Sequence, residues 1–283
     1  MSIRSQRTPQ IVAPAGILLI VASFVLSSCS TSSVGLDAAG IDIEPYANVT
    51  AQLDFETGTV LLPLDAIDKN APEVDELRRE AWRVLTDSCL SASGLPGYSW
   101  VETVPSQENR LFGLWSVSLA HEYGFEMADT VDQVVPATPS DDEMRCLDAS
   151  KEEMRTRFNL DDSYSFDAQV GRAAYDAAYA SAEGRAAIAA AEACMVDEGL
   201  ELEPDAIGAR PEYDEAGNSA ENTRIAVIVA TCNTNTGAIQ TLYDLTARYQ
   251  SALIDQHEAE AEAAAEVVAE RIAGFQGVIS ASK

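Results

Sequence analysis

Four cysteines spread along the chain, Cys89, Cys146, Cys194 and Cys232, constrain its fold most, provided that it folds outside the cytoplasm. The first thirty residues meet that condition. A basic start (Arg4, Arg7) leads into an apolar run from Ile11 to Leu26, which ends in Leu26-Ser27-Ser28-Cys29. That order suits a lipoprotein signal: an apolar segment for the translocon, small residues for the processing protease, and a thiol to carry lipid. Its length and flanks fit a secretory signal better than a stable membrane span. Pro14 and Gly16 inside the run weaken a permanent membrane helix. An ordinary cleaved signal and an uncleaved anchor helix are the alternatives. The reading predicts a signal peptide over residues 1–28, a diacylglycerol and palmitate on Cys29, and a lipidated tether over residues 29–50 that begins Ser30-Thr31-Ser32-Ser33. Its address is the extracellular side of the cell membrane, with the lipid on Cys29 as the membrane contact.

With Cys29 committed to lipid, an even count remains, which reads as two disulfides in an oxidising compartment. Zinc is the rival, but the chain has no CxxC pair, and only His121 and His257 could assist. Four cysteines allow three pairings. An internal echo favours one of them. Cys89-x4-Gly94-Leu95 matches Cys194-x4-Gly199-Leu200, and each is followed by one further cysteine. The expectation is therefore Cys89–Cys146 and Cys194–Cys232, in an ectodomain over 51–283 with possible subdomains 51–165 and 166–283.

Charge narrows the partners. The chain carries 46 acidic and 18 basic side chains, a formal charge of −28. Removing residues 1–28 takes away Arg4 and Arg7 and no acid. Such a surface lacks the basic footprint that nucleic acid requires. It also disfavours broad contact with anionic headgroups. The roughly 250 residues left are enough for one large domain or two small ones.

Hydrophobic spacing predicts a mainly α fold. Leu53 to Leu64 contains the turn signal Thr57-Gly58 and a β-prone run from Thr59 to Leu62, so a minor hairpin or edge strand is expected near 53–62. A helix follows Pro72, with Val74, Leu77, Ala81, Val84, Leu85 and Cys89 on one face. Leu111 to Tyr123 reads as a helix closed by Gly124. Ser140 caps a short helix carrying Cys146. Further helices are expected over 167–181, 183–198 and from Ser219, with a surface loop over 200–218. A long C-terminal helix should run from Gly237 to about Ala273. Its apolar stripe starts at Ile239 and Leu242, while Glu258, Glu262, Glu266 and Glu270 form a solvated acidic face.

Taken in order, LSSC, TGTVLLPLD, CLSASGL, EYGF, ACMVDEGL, VATCNTNTG and the long alanine- and glutamate-rich helix resemble a group of actinobacterial cell-surface lipoproteins. The resemblance covers most of residues 11–273. It implies location and helical architecture and supplies no activity and no catalytic residue.

Reactive motifs are missing from the sequence. There is no GxSxG elbow, P-loop or dinucleotide fingerprint, and no cofactor is implied. His121-Glu122 lacks the second histidine of a zinc helix. Asp161, Ser163, Ser165 and Asp167 alternate like calcium ligands, without the glycine and terminal glutamate such a loop requires. Aromatic residues cluster between 82 and 125. Trp100, Trp115, Tyr123 and Phe125 form the possible binding face, with core packing as the competing role. The functional expectation is a non-enzymatic envelope lipoprotein, a binding or interaction module for an envelope protein or wall ligand. The alternative is a cell-wall-active hydrolase using paired carboxylates.

Overall fold

The computed structural model describes residues 35–68, 71–98, 100, 108–127, 138–160, 165–205, 208–212 and 219–282. The signal, Cys29, Asn70, Asp161 and Ser163 lie outside the described residues. The chain is mainly helical, and residues 35–283 form one compact unit. Among the described residues there are eight α-helices and two small hairpins. In chain order they are β1 (Gln52–Asp54), β2 (Thr59–Leu61), α1 (Pro72–Ala92), α2 (Val117–Tyr123), α3 (Asp141–Arg157), α4 (Phe166–Ala180), α5 (Ala182–Asp197), β3 (Leu202–Asp205), β4 (Gly208–Pro211), α6 (Ala220–Asn235), α7 (Ala238–Gln256) and α8 (Glu258–Ala281). No described helix is long and apolar enough to cross a membrane.

The expected hairpin is present. Leu53 stands opposite Val60, and the turn places Gly58 at φ +70°. Leu53 and Val60 pack on Ala51, Trp115, Ile239 and Tyr243, so a two-stranded ribbon too small to stand alone is held by α7. The expected loop over 200–218 contains a second hairpin, β3–β4, pairing Leu202 with Pro211. Leu202 packs against the core formed by α2, α5 and α6. Proline is tolerated because each strand of a two-stranded ribbon is an edge.

Helix ends follow local chemistry. Pro72 occupies the first turn of α1, with Glu73 and Asp75 beside the amide end. Ser140 and Glu143 form a capping box on α3, which runs to Arg157 and is longer than expected. Ser219 accepts the Asn222 N–H at 3.1 Å at the start of α6. Leu111 to Leu114 is turn rather than helix, and α2 starts only at Val117, capped by Ser116. The C-terminal helical stretch breaks at His257 (φ −123°, ψ 43°), giving α7 and α8.

Both expected disulfides form, Cys89–Cys146 and Cys194–Cys232, each with Cα atoms 5.6 Å apart. The echo that pointed to them has a local cause. After α1, Gly94 takes φ +70° and the Leu95 N–H reaches the Leu90 carbonyl at 2.9 Å. After α5, Gly199 takes φ +84° and the Leu200 N–H reaches the Met195 carbonyl at 3.0 Å. Each is a Schellman cap, in which glycine supplies the left-handed residue and a leucine folds back onto the last turn. The likeness stops there. Cys89 bridges to the first half of α3, whereas Cys194 bridges to the last turns of α6. The packing does not divide at residue 165 either. α2 packs on α6, and α8 packs on α1.

The expected tether over 29–50 is partly structure. Ala38 is buried with Leu64, Val170 and Leu253. Tyr46 donates its hydroxyl to Asp255 at 2.7 Å. Leu36 and Ile41 add apolar surface to the same cluster, which explains why this segment docks on α7.

A polar knot at Asn109 joins the β1–β2 hairpin to α7. The Asn109 N–H donates to Gly58 O at 2.8 Å, and its carbonyl accepts from Trp115 Nε1 at 2.6 Å. Tyr243, with no exposed surface, donates its hydroxyl to Asn109 Oδ1 at 2.9 Å. Burial pushes the Tyr243 phenol well above its ordinary value of 10.0. A pKa raised on folding contributes stability that is present below the unfolded value and lost as pH rises past it. Stability is therefore expected to fall above pH 10.0. The fall should be shallower in Tyr243→Phe when both proteins are followed by denaturant unfolding across that range. Equal alkaline slopes would contradict this assignment.

Candidate functional site

Of the four aromatic residues expected to form a face, Trp115 is fully buried and the other three are half-buried. Trp115 is a core residue with no exposed surface, in edge contact with Phe55 (5.4 Å) and Tyr243 (6.0 Å). Its indole N–H is already spent on Asn109. Phe125 is half-buried against the core of α2, α5 and α6. Tyr123 is half-buried at the end of α2. Trp100 lies elsewhere, edge-on to Trp82 at 5.1 Å and below the Arg83 guanidinium at 5.8 Å. Burial removes Trp115 from any such face, while Trp100, which packs on Trp82 and Arg83 of α1, Tyr123 and Phe125 stay partly exposed. The sequence cluster forms ring contacts in two groups, Trp82, Tyr98 and Trp100 in one and Phe112 and Trp115 around Tyr243 in the other.

A groove between α1 and α3 is the best-formed candidate. Its volume is about 680 Å³, inside the usual span of small-ligand sites. The apolar lining is Trp82 from α1, Met144, Leu147 and Met154 from α3, and Leu160 beyond it. The polar lining is Arg78, Arg79, Lys151 and Arg155, with Asp148 as its one acid. The lining holds more bases than acids, but Asp75, Glu76 and Glu152, one turn back from three of them, bring the region to neutrality.

The two walls are fixed to each other. Cys89–Cys146 ties α1 to α3. One turn further along, Thr86 Oγ1 and Ser150 Oγ share a hydrogen bond at 2.8 Å with both residues buried. Below them Val74, Ala81 and Met154 pack on Val268 and Phe275 of α8. The helices therefore cannot separate without breaking a covalent link and a packed floor.

The arginines are held by acids one turn back on their own helices. Arg78 pairs with Asp75 at 2.9 Å, Arg79 with Glu76, and Arg155 with Glu152. The Arg155 partnership pulls the Glu152 carboxyl below its ordinary range. Lys151 is exposed and makes no ion pair or hydrogen bond with another described residue.

No family model, no curated protein and no solved structure matches this chain. The site is therefore read from its own chemistry. Among the described residues no group of three or more His, Cys, Asp or Glu gathers as a metal would require. His121 is exposed at the end of α2. Glu258, Glu262, Glu266 and Glu270 are exposed along α8, as expected of a solvated face.

A second groove of about 980 Å³ lies between β2 and the start of α1, lined by Asp65, Asp68, Glu73 and Glu76 among others. Desolvation pushes the Asp65 carboxyl upward. Its Oδ2 already accepts the Leu62 N–H at 2.7 Å, where it caps a 3-10 turn. Glycoside cleavage uses two carboxyls with pKa values driven apart.

The groove was missed in the sequence because its parts are dispersed. Arg78 and Arg79 lie on α1 and Lys151 and Arg155 on α3, more than seventy residues later. Seven of the 16 basic residues after residue 28 fall in α1 and α3, but these helices also carry eleven acids, so composition gave no signal of the groove.

Proposed function

We propose that the chain is an envelope lipoprotein, anchored through lipid on Cys29 at the outer face of the cytoplasmic membrane. In this reading it is a non-enzymatic binding module, and the α1–α3 groove bears the ligand. The observation that carries the reading is the groove itself: an apolar floor edged by arginine, lysine and aspartate side chains and braced by a disulfide. The resemblance to actinobacterial surface lipoproteins and the Leu26–Cys29 box support the address. A lipid anchor contributes about 0.8 kcal/mol per buried methylene, enough for stable attachment when several chains are present.

The reading makes two expectations. Cys29→Ala should move the protein from the membrane fraction to the medium. A lipid-free N-terminal peptide in the wild type would refute the anchor. For the groove, some fraction of the native envelope should raise the unfolding temperature of the full chain. A ligand at 100 times its Kd stabilises by about 2.7 kcal/mol. The rise should vanish in Leu147→Glu, which places a charge on the apolar floor. A rise that survives this substitution would place the ligand elsewhere. Turnover of wall material abolished by a single Asp or Glu substitution would make the protein an enzyme instead.

A further inference from the structure

We infer that the short tether after Cys29 turns one side of the protein to the bilayer: the corner where α7 meets α8, around Tyr46, Asp255 and Gln256. The inference rests on the lipid anchor at Cys29 and names the surface that the anchor draws inward.

The anchor point cannot lie far from this corner. Five residues separate Cys29 from Gly35, the first described residue. Six residues at full extension reach about 20 Å. From Leu36 onward the chain adds nothing to that reach, because it is pinned along α7. Ala38 is 3% exposed and is buried with Leu253 of α7 and Ala261 of α8. Tyr46 donates its hydroxyl to Asp255 Oδ2 at 2.7 Å. The Ala51 N–H donates to Asp244 Oδ1 at 2.8 Å.

The reach is short beside the helices that leave the corner. α7 has 19 residues and α8 has 24. At 1.5 Å per residue the far end of each lies about 30 Å or more from the corner along its axis. With the corner outermost and the body resting on lipid, the tether would not span the gap. The corner must therefore lie on the lipid side.

Charge does not oppose this orientation. Residues 35–50 and 251–262 together carry seven acidic side chains and no lysine or arginine. Their repulsion from anionic headgroups is screened beyond about 8–10 Å at physiological ionic strength. The tether is about twice that long, so the corner faces the bilayer across a layer of water. The floor of the α1–α3 groove packs on Val268, Phe275 and Val278, from the middle to the end of α8. The groove is thereby carried away from the tethered end.

The test uses the full lipidated chain in nanodiscs of zwitterionic phospholipid that include a headgroup nitroxide. A fluorophore is placed through an azide-bearing residue at one exposed position at a time: Gln256 at the corner, Asn235 just before α7, or Gln276 near the end of α8. This labelling leaves the four cysteines in their bridges. A nitroxide quenches at short range, so quenching at Gln256 is expected to exceed that at either other position by about threefold or more, given the separation along each axis. Inserting about thirty Gly and Ser residues between Val34 and Gly35 gives the tether a mean reach of about 33 Å, and the three signals should then converge.

Equal quenching at the three positions would overturn the inference and leave the anchor standing. So would stronger quenching at Asn235 or Gln276, or a contrast that survives the insertion. A wild-type chain that fails to associate with nanodiscs would remove the anchor and the inference together.

Discussion

Arg110→Ala is expected to cost about 3–5 kcal/mol, the range for leaving one member of a buried ion pair without its partner. The Glu108 side chain is 1% exposed and that of Arg110 17%. Their Nε–Oε1 distance is 2.8 Å. The same guanidinium donates to the Phe125 carbonyl and, at 2.8 Å, to the Glu126 carbonyl, so it also holds the end of α2. Alanine removes all of this and leaves a carboxylate facing the backbone of the β1–β2 turn. The room there is already spent, since a Cβ on Gly58 would sit 2.6 Å from Glu108 Cγ. A paired replacement, Glu108→Gln with Arg110→Met, should recover the part of the loss that comes from the Glu108 charge, while the bonds to the Phe125 and Glu126 carbonyls stay lost. Equilibrium urea unfolding of the three proteins decides this. An Arg110→Ala protein within 1 kcal/mol of wild type would refute it.

Removing the Cys89–Cys146 bridge by the double alanine substitution should cost about 4 kcal/mol. The bridge closes a loop with a sequence separation of 57, and the chain-entropy model scales with the logarithm of that length. The native state adds a reason for the full effect to appear. Cys146 is 3% exposed, so two alanines leave a gap at the α1–α3 seam beside the buried Thr86–Ser150 hydrogen bond. The equivalent change at Cys194 and Cys232, separation 38, should cost a similar amount, since the logarithm differs little. The two variants part company in what else they lose. Only the first unfastens the walls of the groove, so only it should weaken the binding read through Leu147. Equal loss of ligand response in both would mean that the response reports global stability alone.

Much of the fold was legible because its signals are local. Pro72, Ser140 and Ser219 each mark a helix start through chemistry confined to one turn. Gly94 and Gly199 mark ends through a left-handed residue that a following leucine stabilises. The consecutive disulfides followed from the same repeated cap. What was not legible depends on partners far away in sequence. Leu202 had no visible reason to pair with Pro211 until the α2–α5–α6 core gave it somewhere to pack. Residues 36–50 look like tether until α7 offers Asp255 to Tyr46. Trp115 resembles an exposed aromatic until Asn109 takes its N–H. The groove is the extreme case, since neither α1 nor α3 alone carries a recognisable site.

The packing of α8 on α1 makes folding of this chain an all-or-nothing affair. The floor beneath α1 and α3 is completed by Val268, Phe275 and Val278 of α8. Domains that fold during synthesis complete their N-terminal part first. Here the Cys89–Cys146 bridge lies wholly within α1 and α3, yet the apolar undersides of these two helices stay open until α8 has been made. A chain broken off before α8 would carry a correct disulfide over an uncovered core. α8 thereby acts as a proof of completeness for two helices made long before it.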